Sequence, residues 1–297
     1  MTGVILLDKH EGVTSFGAAA RLRRLCGEKK IGHTGTLDPM ASGLLPVLLG
    51  GATKFAELLP SRDKAYRAAF LLGAETDTLD ITGTVVRQRY VDVGEADVRR
   101  ALDAFRGTIS QLPPMYSAVS QNGVRLYALA RQGIEVQRQA RTVEIYRLDL
   151  VQANAQKGEY IIDVYCSAGT YIRSLVSDLG EALGCGAVLT ALRRTAANGF
   201  AVEDAHTLDA LCACTPEQIA AFVLPIDRVL SGYPAVTVTE KQAVRFDNGG
   251  ALDLARVRGV SGAGLYRVYD PAGRFLGLGE VRPEQNELAV RRRLVER

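Results

Sequence analysis

The chain has 297 residues, of which 47% are hydrophobic and 23% are charged, a composition that is typical of a folded globular protein and excludes extended disorder. Its longest apolar runs, such as residues 44–49, are too short to cross a membrane, and its start lacks the features of a signal peptide. We therefore expect a cytoplasmic protein that is long enough for one large domain and a smaller one.

Cysteines and charges narrow the range of partners. The five cysteines are scattered, with no Cys-x-x-Cys pair and no histidine at zinc spacing, which argues against a structural zinc site and a disulfide framework. Residues 233–297 carry 11 Lys+Arg against 8 Asp+Glu, whereas residues 1–232 carry 25 of each. Basic clusters at residues 21–30 and 291–293 suit contacts with phosphate, and they suit solvated faces equally well.

The N-terminal part combines a strand, a helix and a glycine-rich segment. Residues 4–7 predict a strand, and residues 15–26 predict a helix that ends at Gly27. Five glycines and two prolines lie in residues 32–51. This density predicts irregular backbone, of the kind that often carries function.

The next part predicts strands, turns and a helix. Residues 66–72 and 84–89 alternate as strands, and we expect them to pair as a hairpin whose long tip is formed by residues 76–83. Residues 95–105 have helical periodicity. Prolines exclude a helix at residues 112–116, which are expected to be extended.

The remainder of the large domain predicts the fold class. Residues 126–132 form at most a short helix, residues 141–150 and 160–167 predict paired strands, and residues 171–183 predict an amphipathic helix. Helices and strands interleave without regular βαβ spacing. Residues 1–232 therefore predict an α+β fold around a mixed, mainly antiparallel sheet.

The C-terminal part has a different pattern. From residue 236 short strands alternate with turns, which predicts a small β-barrel over residues 233–297. Residues 224–234 are the expected linker.

Asp38 is the first candidate for chemistry. It lies in the glycine-rich segment and is followed by Pro39, so a restricted backbone would hold its carboxylate as a nucleophile or a base. A loop aspartate that bonds its own backbone is the ordinary alternative. His33 lies five residues earlier, but His10 and His206 do not cluster with it in the sequence, so we expect no metal site.

The residues around Asp38 favour a catalytic role over a structural one. The string Gly32-His33-Thr34-Gly35-Thr36-Leu37-Asp38-Pro39, with Ala41-Ser42-Gly43 and Leu44-Leu45-Pro46, resembles the active-site segment of the bacterial tRNA pseudouridine-55 synthases. The resemblance continues in family order over residues 3–200, at Leu7-Asp8-Lys9, Ala52-Thr53-Lys54, Lys64-Ala65-Tyr66-Arg67, Thr76-Asp77-Thr78, Pro113-Pro114, Tyr116-Ser117-Ala118, Gly169-Thr170-Tyr171-Ile172-Arg173 and Leu192-Arg193-Arg194.

The resemblance implies an activity and a nucleophile. In this family the aspartate that matches Asp38 attacks a uridine that is flipped out of the RNA, at ring C6 or at sugar C1′. The uracil leaves through N1, turns and is rejoined through C5. The resemblance implies no metal and no cofactor, since the carboxylate divides a hard isomerisation into covalent steps.

Tyr66 and Arg173 match the other two catalytic positions of the family. Tyr66 matches a tyrosine that stacks on the flipped base and assists removal of the C5 proton. Arg173 matches an arginine that pairs with the aspartate, which would favour an ionised Asp38. Without the resemblance, a half-buried strand aromatic and a surface arginine are the ordinary alternatives.

Four further residues match positions that bind the substrate. His33, Tyr171 and Leu192 match the lining of the uridine pocket, where aromatic and apolar faces replace the stacking that the base loses. Lys9 matches a basic residue at the mouth of the site. Buried structural side chains are the alternative for Tyr171 and Leu192, and a solvated loop lysine is the alternative for Lys9.

The expected function is isomerisation of the T-arm uridine of tRNA by a monomer, with residues 1–232 as the catalytic domain and residues 233–297 resembling the PUA domain, an RNA-binding module. A structural or dimerising barrel is the alternative for the latter. An RNA-binding helper of tRNA folding and a synthase subunit directed by a guide RNA are the alternative functions.

Two positions depart from the family pattern: His10 replaces a usual proline and Ser120 replaces a frequent lysine.

Overall fold

A computed structural model of the chain describes residues 1–117, 119–121 and 123–295, and for Gln121 the backbone alone. Ala118 of the family motif and the last two residues of the expected C-terminal domain lie outside the described residues. In the first 232 residues the α-helices are α1 (Ser15–Leu25), α2 (Glu95–Asp103), α3 (Leu126–Ala130), α4 (Ile172–Ala182), α5 (Leu208–Cys212), α6 (Pro216–Ala221) and α7 (Ile226–Val229), and two 3-10 helices span Gly50–Leu58 and Val202–Asp204. The strands are β1 (Gly3–Lys9), β2 (Ile31–His33), β3 (Ser42–Leu49), β4 (Lys64–Leu72), β5 (Ala74–Thr76), β6 (Val85–Gln88), β7 (Gly107–Gln111), β8 (Ser120–Gln121), β9 (Val124–Arg125), β10 (Arg141–Asn154), β11 (Glu159–Cys166), β12 (Ala187–Ala197), β13 (Phe200–Ala201) and β14 (His206–Thr207).

One large sheet organises this part of the chain. Within the described residues its main path runs β14-β1-β3-β12-β4-β11-β10-β7, with β2 and β13 attached to β3 and β12. Its pairs are antiparallel except for β1 with β14 and β12 with β3. The expected α+β fold with a mainly antiparallel sheet is therefore confirmed.

Helices cover the centre of this sheet. The strand β3 is buried along its length after Ser42, which is the pattern of a strand covered on both faces. The predicted amphipathic helix is confirmed as α4, whose apolar face includes Leu175, Val176 and Leu179, each at most 1% exposed. Each such burial contributes about 1.5–3 kcal/mol, so α4 and the residues at its start are firmly held.

Two expectations from the sequence are wrong, and one strand was not expected. Residues 42–49 are strand rather than irregular backbone, because the apolar run gains more from burial than Pro46 costs; the carbonyl of Pro46 still accepts from Thr34 N at 3.2 Å. The expected hairpin does not form, because Gly73, at φ 90°, turns the chain so that β5 pairs with β6 while β4 pairs with β11 and β12. The strand β12 was not predicted at all.

The C-terminal residues form a separate sheet. It contains β15 (Ala235–Thr237), β16 (Leu252–Asp253), β17 (Gly264–Tyr269), β18 (Phe275–Arg282) and β19 (Glu287–Arg293), and the helix α8 (Glu240–Asp247) packs on it. The described strands follow the order β15-β17-β18-β19-β16, and the expected barrel is confirmed as a curled half-barrel. Phe275 packs against Phe55 of the large domain, with ring centroids 6.1 Å apart.

None of the helices in the described part of the chain has both the length and the apolar character that crossing a bilayer requires.

Candidate active site

A cleft of about 370 Å³ opens beside the segment between β2 and β3. Five of the residues that were predicted for the site line it, on four different parts of the fold: Asp38, Tyr66, Tyr171, Arg173 and Leu192. The sequence therefore predicted a set of residues that the fold does bring together.

The backbone around Asp38 is fixed by helix α1. The hydroxyl of Ser15, near the start of this helix, accepts from Leu37 N at 2.8 Å and donates to Leu37 O at 3.0 Å. Gly12 N donates to Pro39 O at 2.8 Å on the other side of the aspartate. Since Leu37 is also buried, the Asp38 carboxylate projects from a clamped loop.

Arg173 holds the carboxylate from helix α4. Its Nε lies 2.9 Å from Asp38 Oδ2, and its side chain is 5% exposed. The two remaining nitrogens donate to Thr78 O at 3.0 Å and to Tyr116 O at 2.8 Å, and Asp80 Oδ2 lies 3.6 Å from Nη1. The guanidinium is thus held by protein groups on every side, and it presents one edge to Asp38.

The electrostatics of Asp38 are a balance. Burial raises the pKa of its carboxyl most strongly, the charge of Arg173 lowers it, and the charge of Asp80 raises it. The net direction is a pKa above the ordinary value. Arg173 therefore acts in the expected direction, toward the ionised form, but it only partly offsets burial.

Tyr66 lies across the cleft on β4. Its side chain is 7% exposed, and its ring lines the cleft. Burial raises the pKa of the phenol to about 12, while the charge of Arg194 acts in the opposite direction. The ordinary alternative for Tyr66, a half-buried strand aromatic, fits its place on the strand but not its position on the cleft wall.

Tyr171 and Leu192 complete the walls. The backbone of Tyr171, just before α4, is clasped by the buried side chain of Gln111: Tyr171 N donates to Oε1 at 3.0 Å, and Nε2 donates to Tyr171 O at 3.2 Å. Leu192 is 6% exposed and lies opposite Ala68 in the sheet.

His33 and Lys9 lie outside the lining of the cleft. His33 is half-buried on β2, burial lowers its pKa, and its Nδ1 meets no acceptor or donor among the described residues. Lys9 is 1% exposed, so the alternative of a solvated loop lysine is wrong. Its Nζ donates to the carbonyls of His10 and Val13, both at 2.9 Å. Burial lowers the pKa of Lys9 to about 8, against the opposing charge of Asp38.

Several residues of the site had no predicted role. Asp80, which is 4% exposed, accepts from the Thr78 and Thr82 hydroxyls and approaches Arg173. The spacing of Thr78, Asp80 and Thr82 was the available signal for this turn. Arg194 is fully buried beneath the cleft, and nothing in its sequence neighbourhood distinguishes it from the half-exposed Arg193.

The two positions that depart from the family pattern lie outside the cleft. His10 is exposed and its Nδ1 lies 2.6 Å from Glu11 O, and Ser120 Oγ donates to Val124 O at 3.3 Å. Among the described residues no three His, Cys, Asp or Glu side chains cluster as metal ligands.

Family models and curated relatives match almost the entire chain. Residues 23–172 match the TruB family pseudouridylate synthase (N terminal domain), residues 173–231 match the tRNA pseudouridylate synthase B C-terminal domain, and residues 234–294 match Pseudouridine synthase II TruB, C-terminal. A protein of Thiobacillus denitrificans called tRNA pseudouridine synthase B is 47% identical over 290 residues, covering 98% of this chain and 95% of that protein. A protein of Burkholderia mallei with the same name is 46% identical over 298 residues, covering 99% and 97%.

Solved structures show the same fold. A chain of a Cbf5-Nop10-Gar1 complex is 27% identical with a TM-score of 0.73, covering 98% of this chain and 84% of that chain. A chain of an H/ACA ribonucleoprotein bound to a substrate RNA containing 2′-deoxyuridine is 24% identical with the same TM-score, covering 100% and 86%. At these identities the second likeness supports the fold alone.

Proposed function

The chain belongs to the TruB family of pseudouridine synthases, and we propose that it isomerises uridine to pseudouridine in the T-arm of tRNA, at position 55. Isomerisation of uridine in tRNA is the activity that its relatives carry in their name, so the chain is an isomerase. The T-arm position is supported by the resemblance of the Asp38 segment to the pseudouridine-55 synthases. Neither alternative function is favoured by the relatives.

The observation that carries this function is the pair of Asp38 and Arg173 in a cleft faced by Tyr66. The cleft, at about 370 Å³, has the size of a small-molecule site, so a single extruded nucleoside fits it and an RNA helix does not. Tyr66, Tyr171 and Leu192 offer the aromatic and apolar faces on which a flipped base stacks.

The chemistry follows from these positions. The ionised Asp38 attacks the flipped nucleotide at C6 or C1′, and the N1–C1′ bond breaks. The uracil turns within the cleft and bonds to C1′ through C5. The phenolate form of Tyr66 takes the C5 proton, N1 takes up a proton from solvent, and Asp38 is released. Arg173 keeps the carboxylate oriented toward the cleft throughout, because its Nε faces Asp38 while its other two nitrogens are bonded to backbone carbonyls.

His33 and Lys9 have supporting roles in this proposal. Lys9 places a positive charge near Asp38. Its ammonium group also donates to two carbonyls of the loop that follows β1, which stabilises the backbone at the mouth of the site. His33 borders the entry of the base from β2. No metal or cofactor takes part in the proposed steps.

The C-terminal residues 233–297 act as a PUA-like RNA-binding domain in this proposal, with residues 1–232 as the catalytic domain. Family models divide between residues 231 and 234, which supports this boundary. A groove between the large domain and β19 is lined by Lys54 and by Arg291, Arg292 and Arg293, which suits an RNA backbone. We propose a cytoplasmic monomer that works on tRNA.

The proposal is tested with unmodified tRNA. Incubation with the protein, followed by mapping of pseudouridine at every uridine, should give a single modified position in the T-arm. A tRNA with cytidine at position 55 should remain unmodified. Pseudouridine at another position would overturn the T-arm assignment, while tRNA that refolds without any pseudouridine would support the folding helper instead.

A further inference from the structure

Arg194 has the largest side chain among the fully buried described residues. Its Nε donates to Leu44 O at 2.6 Å and its Nη2 donates to Gly35 O at 3.2 Å. Across the part of the chain that the structure describes, no carboxylate lies within ion-pair distance of it. A buried cation that lacks a carboxylate partner is costly to maintain, so its position calls for a functional reason.

The sheet places Arg194 beside Tyr66. The two residues are directly paired across β12 and β4, and such pairs project side chains on the same face of the sheet, about 5 Å apart at their Cβ atoms. The charge of the guanidinium acts on the Tyr66 phenol, and its Nη1 is buried and has no hydrogen-bond partner among the described residues.

Gly35 lies between the cleft and this guanidinium. Gly35 lines the cleft, and a Cβ added to it would lie 3.6 Å from Arg194 Nη1. Because Gly35 has no side chain, one edge of the buried guanidinium comes close to the space that the base would occupy.

We propose that Arg194 is a positioning residue for this reaction, which holds the Tyr66 hydroxyl at the cleft and stabilises the phenolate that accepts the C5 proton. The inference rests on the proposed function, in which Tyr66 is the base. The C5–H bond breaks, its electron pair forms the C5–C6 double bond of the product, and the proton passes to the phenolate oxygen, while N1, which has lost its bond to C1′, takes up a proton from solvent. The resulting phenol returns its proton to solvent before the next turnover.

The charges around Tyr66 support this assignment. Burial raises the pKa of the phenol most strongly, and the Asp38 carboxylate, from its loop, and the Cys166 thiol once it ionises, from β11, act in the same direction. Arg194, from β12, is the group that lowers it among the described residues. Without Arg194 the phenolate would be formed still more rarely, since each unit of pKa reduces its population tenfold.

Single-turnover rates on a T-arm RNA test the proposal, with hydrogen or deuterium at C5 of the target uridine. R194M should slow the reaction about tenfold or more and enlarge the isotope effect, because proton removal becomes limiting. R194K keeps the charge without the planar fork and should fall between R194M and the wild type. R193M is the matched control, because Arg193 is 42% exposed and pairs with Asp8 away from the cleft, and it should leave rate and isotope effect unchanged.

A second measurement needs no substrate. With 3-fluorotyrosine in place of tyrosine, the fluorine NMR signal of residue 66, assigned by its loss in Y66F, reports the titration of that phenol. R194M should move the midpoint upward by about one pH unit or more, and R194K by less. If R194M does not fold, as judged by thermal melting, R194K gives both readouts.

A slower R194M with an unchanged isotope effect, or an unchanged titration of residue 66, would overturn the role of Arg194 and leave it a structural residue. A wild-type protein that makes no pseudouridine would instead remove the proposed function, and the titration would still report whether Arg194 controls the phenol.

Discussion

Arg173 Nε lies 2.9 Å from Asp38 Oδ2, and the same guanidinium donates to the carbonyls of Thr78 and Tyr116. These bonds link helix α4, the loop of Asp38 and the turn that carries Asp80. The orientation of the carboxylate therefore depends on packing far from the loop itself. In the proposed reaction this pair forms the reactive end of the cleft, and Tyr66 lines the same space.

Asp38 should set the acid side of the pH profile. Because its pKa is raised by burial and by Asp80, it is protonated, and unable to attack, at a higher pH than an ordinary aspartate. D80N removes one of the charges that raise this pKa, so the acid limb of the single-turnover rate should move to lower pH. The single-turnover rates of the wild type and D80N are measured as a function of pH. If the acid limb lies at the same pH in both proteins, the ionisation of Asp38 does not determine it.

Lys9 should make stability depend on pH. Its pKa is lowered from 10.5 to about 8 in the folded protein, so the unfolded chain binds more protons between these values. The wild type should therefore gain stability relative to Lys9→Met as pH rises from about 8 to about 10.5, by up to about 3 kcal/mol. Urea unfolding of both proteins across this range measures the difference, and a difference that is constant with pH would contradict a lowered pKa of Lys9 in the folded protein.

The groove beside β19 should contribute to tRNA affinity. Arg291 and Arg292 are exposed and line it, so each phosphate contact that they make releases counterions. R291A and R292A should each weaken tRNA binding and lower the slope of log K against log salt by about 1. Arg258 is exposed elsewhere in the same part of the chain, and R258A should leave both quantities unchanged. Equal effects of all three variants would point to net charge instead of a defined contact.

Elements with a strong local pattern could be predicted from the sequence. The periodicity of residues 171–183 gave α4, and the alternation of residues 141–150 and 160–167 gave the β10 and β11 pair. The strand β12 could not be predicted in this way, because Thr190, Arg193 and Arg194 interrupt its apolar residues and its stability comes from pairing with β3 and β4. Long-range pairing overrode the local signal.

The site required two kinds of information. The composition of the loop could not separate Asp38 from any other loop aspartate, whereas the spacing of its neighbours matched a family and so pointed to Tyr66 and Arg173. The burial of Arg194 could not be predicted from the sequence, because arginines are usually exposed and its hydrogen-bond partners Leu44 and Gly35 are about 150 residues away in the chain. Only the assembled sheet brings these groups together.

The most direct test of Asp38 compares the wild type with D38N on unmodified tRNA, by mapping pseudouridine and measuring tRNA affinity in parallel. The substitution keeps the shape of the side chain and removes its nucleophilic oxygen. We expect tRNA affinity to change by less than about threefold and pseudouridine formation at position 55 to fall by at least about 10³-fold, as for other enzymes that lose their nucleophile. Pseudouridine formed by D38N at a rate close to that of the wild type would contradict the assignment of Asp38 as the nucleophile.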